Sequence, residues 1–326
     1  MTVTDQKPLR FDGRVAIVTG AGRGLGRAHA MMLASLGCKV VVNDLGVKST
    51  GAHSGEDPAA NVVSEITALG GMAVADNHNV VTQAQDLIAT AMDAFGRLDI
   101  VINNAGVLND AFFGEMASDD WHAGADVHLK GTVEVCRAAW PHLKKSDAAR
   151  VLNTSSSGML GTPGSTSYGA AKGGVYGFTR NLALDGRLVG INVNGLMPTG
   201  WTRMTAAITD PAVVETLQNH FQPERVAAFV AWLVHPDTDV SNEVFRVSGL
   251  GASRVIMGTT ETTFAREPTA DAWRDAARFL MMKTALVPLH TTMLGLVRDI
   301  QEIAPEADVS QMLEDGCIGL EMGAGD

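Results

Sequence analysis

The sequence predicts one doubly wound α/β domain built on a seven-stranded parallel sheet and followed by a helical C-terminal extension. Two observations carry that expectation. Short apolar runs alternate with longer helical patterns from Arg14 to about Gly249, the order that produces parallel strands joined by crossover helices. The runs are also apolar throughout, as strands covered by helices on both faces require.

In order, the first run, Val15–Val18, enters a glycine-rich loop and the helical pattern Gly24–Leu36. Lys39–Val42 follows, then the loop Leu45–Pro58, rich in Gly, Ser and Thr and longer than most strand-to-helix connections. The helix Ala60–Leu69 leads to the run Met72–Ala75, and Thr82–Phe95 leads to Asp99–Ile102. A long helix over Trp121–Leu143 precedes Val151–Asn153, another over Tyr168–Leu184 precedes Ile191–Asn194, and Val244–Val247 supplies the last strand. No boundary or solenoid repeat interrupts this series, so residues 1–250 read as one domain. Beyond Leu250 strand periodicity stops. Helices near Ala272–Lys283 and Thr291–Ile303, and the Gly-rich acidic end Leu320–Asp326, make residues 251–326 an extension expected to pack on the main domain or a partner subunit.

Composition narrows the function. With 36 acidic against 25 basic residues the formal charge is −11, a field that repels nucleic acid and anionic membrane surfaces as main partners. Cys38, Cys136 and Cys317 lie too far apart for a metal knuckle, and each reads as a small buried hydrophobe in a reducing compartment. No metal site is expected. Met1–Arg10 is polar without the apolar core of a secretory signal, and no apolar run approaches the roughly 18 residues that cross a bilayer. The chain is expected in the cytoplasm.

The first strand continues as Thr19-Gly20-Ala-Gly-Arg23-Gly24-Leu25-Gly26. Glycines let the backbone approach a pyrophosphate, and the helix that follows offers unpaired N–H groups and a positive dipole end. The spacing Gly-x-Gly-x-x-Gly does not fit here, but Thr-Gly-x-x-x-Gly-x-Gly does. A Rossmann-type dinucleotide site is therefore expected, with Gly20, Arg23, Gly24, Leu25 and Gly26 against the cofactor. The second strand ends at Asp44, where a carboxylate can accept both ribose hydroxyls of NAD and repel a 2′-phosphate. Arg23 pulls the other way, toward NADP. Asp44 outweighs it because it is expected directly at the ribose, so NAD is favoured.

Tyr168-x-x-x-Lys172 places a phenol and an ammonium on one helix face. The ammonium is expected to draw the phenol's pKa of about 10 toward neutrality, making Tyr168 an acid–base group. Just past the fifth strand, Asn153-Thr-Ser155-Ser156-Ser157-Gly158 sits where ligands bind in such sheets. Ser155 is chosen there to hold the substrate oxygen.

Together, Thr19-Gly20-x-x-x-Gly24-x-Gly26, Asn103-Asn104-Ala105-Gly106, Ser155 and Tyr168-x-x-x-Lys172 resemble the short-chain dehydrogenase/reductase family over about Phe11 to Gly249. The resemblance implies that Asn104, Ala105 and Gly106 border the cofactor and that Pro198-Thr-Gly-Trp-Thr202 covers the nicotinamide, with Pro198 and Thr202 in contact. Lys172 would also hold the nicotinamide ribose, and a homodimer or homotetramer is implied. Two positions depart from the family pattern. His128 stands in Val127-His-Leu-Lys-Gly131 where many members have a proton-relay asparagine, leaving relay and packing both open. Asp76-Asn-His78-Asn79 replaces the usual adenine contact.

Val42-Asn-Asp44-Leu-Gly46, Val127–Gly131, Ala138-Ala-Trp140 and Ala231-Trp-Leu-Val-His235 further resemble the (3R)-hydroxyacyl-CoA dehydrogenase branch found in peroxisomal multifunctional enzymes. That likeness implies oxidation of a 3-hydroxyacyl-CoA, with or without a steroid side chain, to the 3-ketoacyl-CoA. The alternatives are a dehydrogenase or reductase of free steroids or other ketones, and a catalytically silent NAD-binding sensor. Met159, Leu160, Trp201 and Met204 are candidate pocket walls, while Met281 and Met282 are expected in a core.

Overall fold

The computed structural model describes residues 8–47, 55–108, 110–202, 210–282 and 286–288, with Gln301, Asp308 and Ser310. Cys317, Met204, most of the expected helix Thr291–Ile303 and the end Leu320–Asp326 lie outside the described residues. The chain divides into two compact units, Met1–Arg254 and Val255–Asp326.

In the first unit the order is β1 (Val15–Thr19), α1 (Gly24–Ser35), β2 (Lys39–Asn43), α2 (Pro58–Ala68), β3 (Met72–Asp76), α3 (Ala84–Phe95) and β4 (Ile100–Asn103). There follow α4 (Ser118–Ala125), α5 (Gly131–Leu143), β5 (Ala149–Thr154), α6 (Thr166–Arg187), β6 (Ile191–Thr199), α7 (Pro211–His220), α8 (Pro223–Leu233), β7 (Val244–Ser248) and β8 (Gly251–Arg254). The sheet order is β3-β2-β1-β4-β5-β6-β7-β8, so the connection reverses direction between β1 and β4.

Each strand alternates its side chains between two apolar layers. Ala16 and Val18 of β1 join Leu33 of α1, Ile66 of α2 and Val230 of α8 on one face. Val15 and Ile17 join Leu87 of α3, Val135 of α5 and Ala183 of α6 on the other. Local chemistry starts two of the helices. Asp57 and Asp210 each precede a proline at the first turn, and their carboxylates accept the N–H groups of Ala60 and of Ala212 and Val213. Between α4 and α5 the long helix is interrupted by one π-helical turn, Asp126–Lys130. Among the described residues no helix is long and apolar enough to cross a membrane, and Cys38 and Cys136 are free and buried.

The sheet corrects the expected strand count. Seven strands are parallel, and an eighth, β8, pairs antiparallel with β7 in the register Ser248↔Gly251. Gly249, at φ 55°, permits the two-residue turn between them. β8 reads Gly-Ala-Ser-Arg and is exposed along its length, so it has no apolar run to announce it.

The second unit also contains strand structure, which the sequence did not lead us to expect. β9 (Gly258–Thr260) pairs antiparallel with β10 (Leu286–Pro288), and α9 spans Ala270–Met282 between them. Met281 and Met282 are exposed, at 80% and 75%, instead of lying in a core. Among the described side chains of α9 only Ala276 is buried, and the helical period turns Met281 and Met282 roughly 120–140° away from it.

Candidate active site

The carboxyl ends of β1 and β4, on either side of the reversal, form a crevice whose walls are stitched together. Thr19 Oγ1 accepts the backbone N–H groups of Asn104 and Ala105, each at 3.0 Å. Asn104 Nδ2 donates in return to the carbonyls of Thr19 and Gly20 at 3.0 and 3.2 Å. Gly26 packs so closely that a Cβ there would lie 2.2 Å from the Gly20 carbonyl oxygen. No side chain caps the N-terminus of α1, where Arg23 is the cap residue, so its first-turn N–H groups point to the crevice. Thr202 lies against Gly24 and Gly200 against Leu25, and Pro198 pairs with Val247 inside the sheet. Gly20, Gly24, Leu25, Gly26, Asn104, Ala105 and Thr202 thus gather around one crevice, with Gly106 next along the wall after β4 and Pro198 on β6, two strands from β4.

Asp44 stands beside this loop, its Oδ2 accepting Gly22 N–H and its Oδ1 accepting Gly46 N–H, both at 2.9 Å. Arg23 is already engaged by the loop after β2. It is ion-paired with Glu56 and donates to the Val47 carbonyl at 3.3 Å. Asp76 is buried against Asn43, His78 and Thr90. Burial raises its pKa, but the hydrogen bonds of Thr90, His78 and Asn43 together outweigh it and hold the carboxyl below the usual range. Asn77, one residue on, donates to the Asp44 carbonyl at 3.0 Å.

Tyr168 and Lys172 occupy the first two turns of α6. Lys172 is buried and donates from Nζ to the Thr154 carbonyl at 2.5 Å. Burial lowers its pKa to about 7, and its Nζ lies 5.7 Å from the centre of the Tyr168 ring. The phenol behaves otherwise than the sequence suggested. Burial raises its pKa, the Ser156 hydroxyl opposes that rise, and the Asp110 carboxylate adds to it. Lys172, with its Nζ 5.7 Å from the ring centre, is not among the groups that shift it.

Ser155 is brought to the site but turned aside. Its hydroxyl donates to the Lys172 carbonyl at 2.8 Å, anchoring α6 to the end of β5. Ser156, whose Oγ accepts Gly158 N–H at 3.0 Å, is the serine beside the phenol. Successive side chains of an extended segment point to opposite sides, and Ser156 has φ −159° and ψ 150°. His128 sits on the π-helical turn with its ring edge-on to Tyr168, centroids 5.1 Å apart. Its Nε2 is 2.6 Å from the Val107 carbonyl, and its buried Nδ1 has no hydrogen-bond partner. Burial, then the Lys172 charge, lower its pKa to about 3, so the ring is neutral. A Cβ on Gly106 would lie 2.3 Å from the His128 ring, which ties the crevice wall to the tyrosine's neighbour.

Ser156, Asp110 and Glu56 were not singled out from the sequence. Asp110 accepts a hydrogen bond from Ser165 at 2.8 Å, joining the loop after β4 to the loop before α6. The exposed Phe112, Phe113 and Leu160 lie on the segments following β4 and β5, whereas Trp201 is half-buried and its backbone N–H donates to the Phe221 carbonyl at 2.7 Å.

Residues 14–212 match the family described as short chain dehydrogenase. The chain is 45% identical over 241 residues to mouse peroxisomal multifunctional enzyme type 2, covering 74% of this chain and 32% of that protein. It is 43% identical over 243 residues to the peroxisomal hydratase-dehydrogenase-epimerase of Neurospora crassa, covering 74% and 27%. The chain thus spans about a third or less of the length of these relatives. Among solved structures, a 7α-hydroxysteroid dehydrogenase complexed with NADH and 7-oxo glycochenodeoxycholic acid matches with TM-score 0.66 and 28% identity, over 74% of this chain and 95% of that one.

Proposed function

Because the chain belongs to the short-chain dehydrogenase/reductase family, an oxidoreductase family, we propose that it oxidises a (3R)-hydroxyacyl-CoA to the 3-ketoacyl-CoA with NAD. The observation that carries the chemistry is the meeting of Tyr168, Ser156 and Lys172 beside the glycine crevice. The residues present fit a dinucleotide. The uncapped N-terminus of α1 and the close approach at Gly26 suit a pyrophosphate, and Asp44 suits a ribose diol. When bound, oxidised nicotinamide supplies the hydride acceptor and a positive charge.

The protein's own groups do the rest. Tyr168, its phenolate favoured against the pull of burial by the nicotinamide's positive charge and the Ser156 hydroxyl, would take the alcohol proton, and the Ser156 hydroxyl would hold the substrate oxygen as its charge changes. Lys172 would hold the nicotinamide ribose by hydrogen bonds from Nζ. Ser155 fixes the start of α6 through the Lys172 carbonyl.

Support for the thioester substrate is the likeness to a hydratase-dehydrogenase-epimerase. Hydration of a carbon–carbon double bond yields a secondary alcohol, the group this site handles. A second reading, a free steroid alcohol, is favoured by the likeness to the 7α-hydroxysteroid dehydrogenase. NADH absorbance during turnover separates them. The expected result is fast oxidation of a (3R)-hydroxyacyl-CoA and slow oxidation of the corresponding free acid and of a bile-acid alcohol. Equal rates on the free acid or the bile-acid alcohol would discard the CoA thioester.

A further inference from the structure

Resting on the dinucleotide site just proposed, we infer that Glu56 sets the preference for NAD over NADP by holding the guanidinium of Arg23. NADP differs from NAD by a phosphate on the adenosine ribose, next to where Asp44 would take the hydroxyls. A cation in the glycine loop is the group suited to receive that phosphate. Arg23 is that cation, placed between Gly22, which donates to Asp44 at 2.9 Å, and the start of α1. Its side chain, only 23% exposed, is already engaged with the Glu56 carboxylate and the Val47 carbonyl.

The backbone keeps Glu56 in place. A Cβ on Gly46 would lie 2.7 Å from the Glu56 carbonyl oxygen, and one on Gly22 would lie 2.6 Å from Pro58 Cβ. The two ends of the long loop after β2 therefore close on the glycine loop. The start of α2, with Asp57 as its cap and Pro58 in its first turn, fixes the far end. A 2′-phosphate would have to draw Arg23 from Glu56 and then lie near two carboxylates, Asp44 and Glu56. NAD meets neither cost. Arg27, the next cation along α1, is engaged with Glu65 and offers no substitute.

Direct binding tests this without turnover. NADH and NADPH are titrated by their fluorescence into the wild type, Glu56→Gln, Arg23→Gln and the double variant. Glu56→Gln is expected to tighten NADPH about tenfold, one phosphate–guanidinium contact at a partly exposed site, and to change NADH by less than about twofold. The gain should vanish in the double variant. An unchanged NADH-to-NADPH ratio in Glu56→Gln, or a gain that survives removal of Arg23, overturns the inference. Failure of the wild type to bind either nucleotide overturns the dinucleotide site, and this inference with it.

Discussion

The two ends of the sheet bury polar groups in opposite ways. At the amino end Asp99 is fully buried, yet it accepts Val15 N–H at 2.9 Å, Ser146 at 2.6 Å and two bonds from Arg97 at 2.9 and 2.6 Å. Arg14 is 3.5 Å away, and Asp147 pairs with both arginines. At the carboxyl end Lys172 is buried and donates to the Thr154 carbonyl, while His128 Nδ1 and Thr154 Oγ1 have no hydrogen-bond partner. A satisfied buried charge holds strands together. Buried groups left short of partners, together with the displaced pKa values of Lys172 and His128, are the arrangement expected of a site that receives a ligand.

That contrast can be broken most sharply at Tyr168. Tyr168→Phe should lower turnover about a thousandfold while leaving urea stability nearly unchanged. Loss of stability with retained turnover would reverse the assignment. At the other end, Asp99→Asn should cost about 3 kcal/mol in urea unfolding, because Arg97 and Arg14 lose their buried counter-charge. Activity per folded molecule should stay the same, and a selective loss of turnover would erase the distinction between the ends.

His29 is the intermediate case. It is fully buried in α1 with neither ring nitrogen bonded, and burial lowers its pKa from 6.5 to about 4. The folded state therefore resists a proton that the unfolded chain binds below pH 6.5, so stability falls as pH drops from there toward 4. At pH 5 this amounts to about 2 kcal/mol. In His29→Leu that share of the acid loss should disappear from urea curves measured at pH 7.5 and 5. An identical acid loss in the variant would show that the unbonded ring is not the cause.

The smallest expected effect sharpens the site itself. Ser156→Ala should reduce kcat about tenfold with a minor change in KM. Ser155→Ala should act mainly on stability, through the lost bond to the Lys172 carbonyl. The opposite split would return the substrate oxygen to Ser155.

Much of the fold was legible because its strands are buried on both faces. β1 is wholly buried and therefore apolar at every position, an unambiguous signal. β8 was not legible, since an exposed, polar four-residue strand created by a glycine turn has no pattern of its own. The crevice was readable from its glycines and from Asp44, because close backbone approach excludes other residues. The sequence chose Ser155, and the two alanine variants decide whether Ser155 or Ser156 meets the substrate oxygen. Adjacent side chains differ by half a turn of an extended backbone, and sequence does not record which faces inward. Nor does hydrophobic period reveal the π-helical turn that holds His128, since the apolar pattern runs on through it. Arg23 and Glu56 meet only because a long loop folds back, a contact that no local spacing encodes.

One hydroxyl deserves a last consequence. Thr19 Oγ1 accepts from two consecutive peptides of the opposite wall, each at 3.0 Å. An oxygen with two lone pairs so used fixes the separation of the walls as a spacer fixes a gap. The glycine loop after β1 and the segment after β4 therefore behave as one piece, and a change at Thr19 is felt on both walls at once.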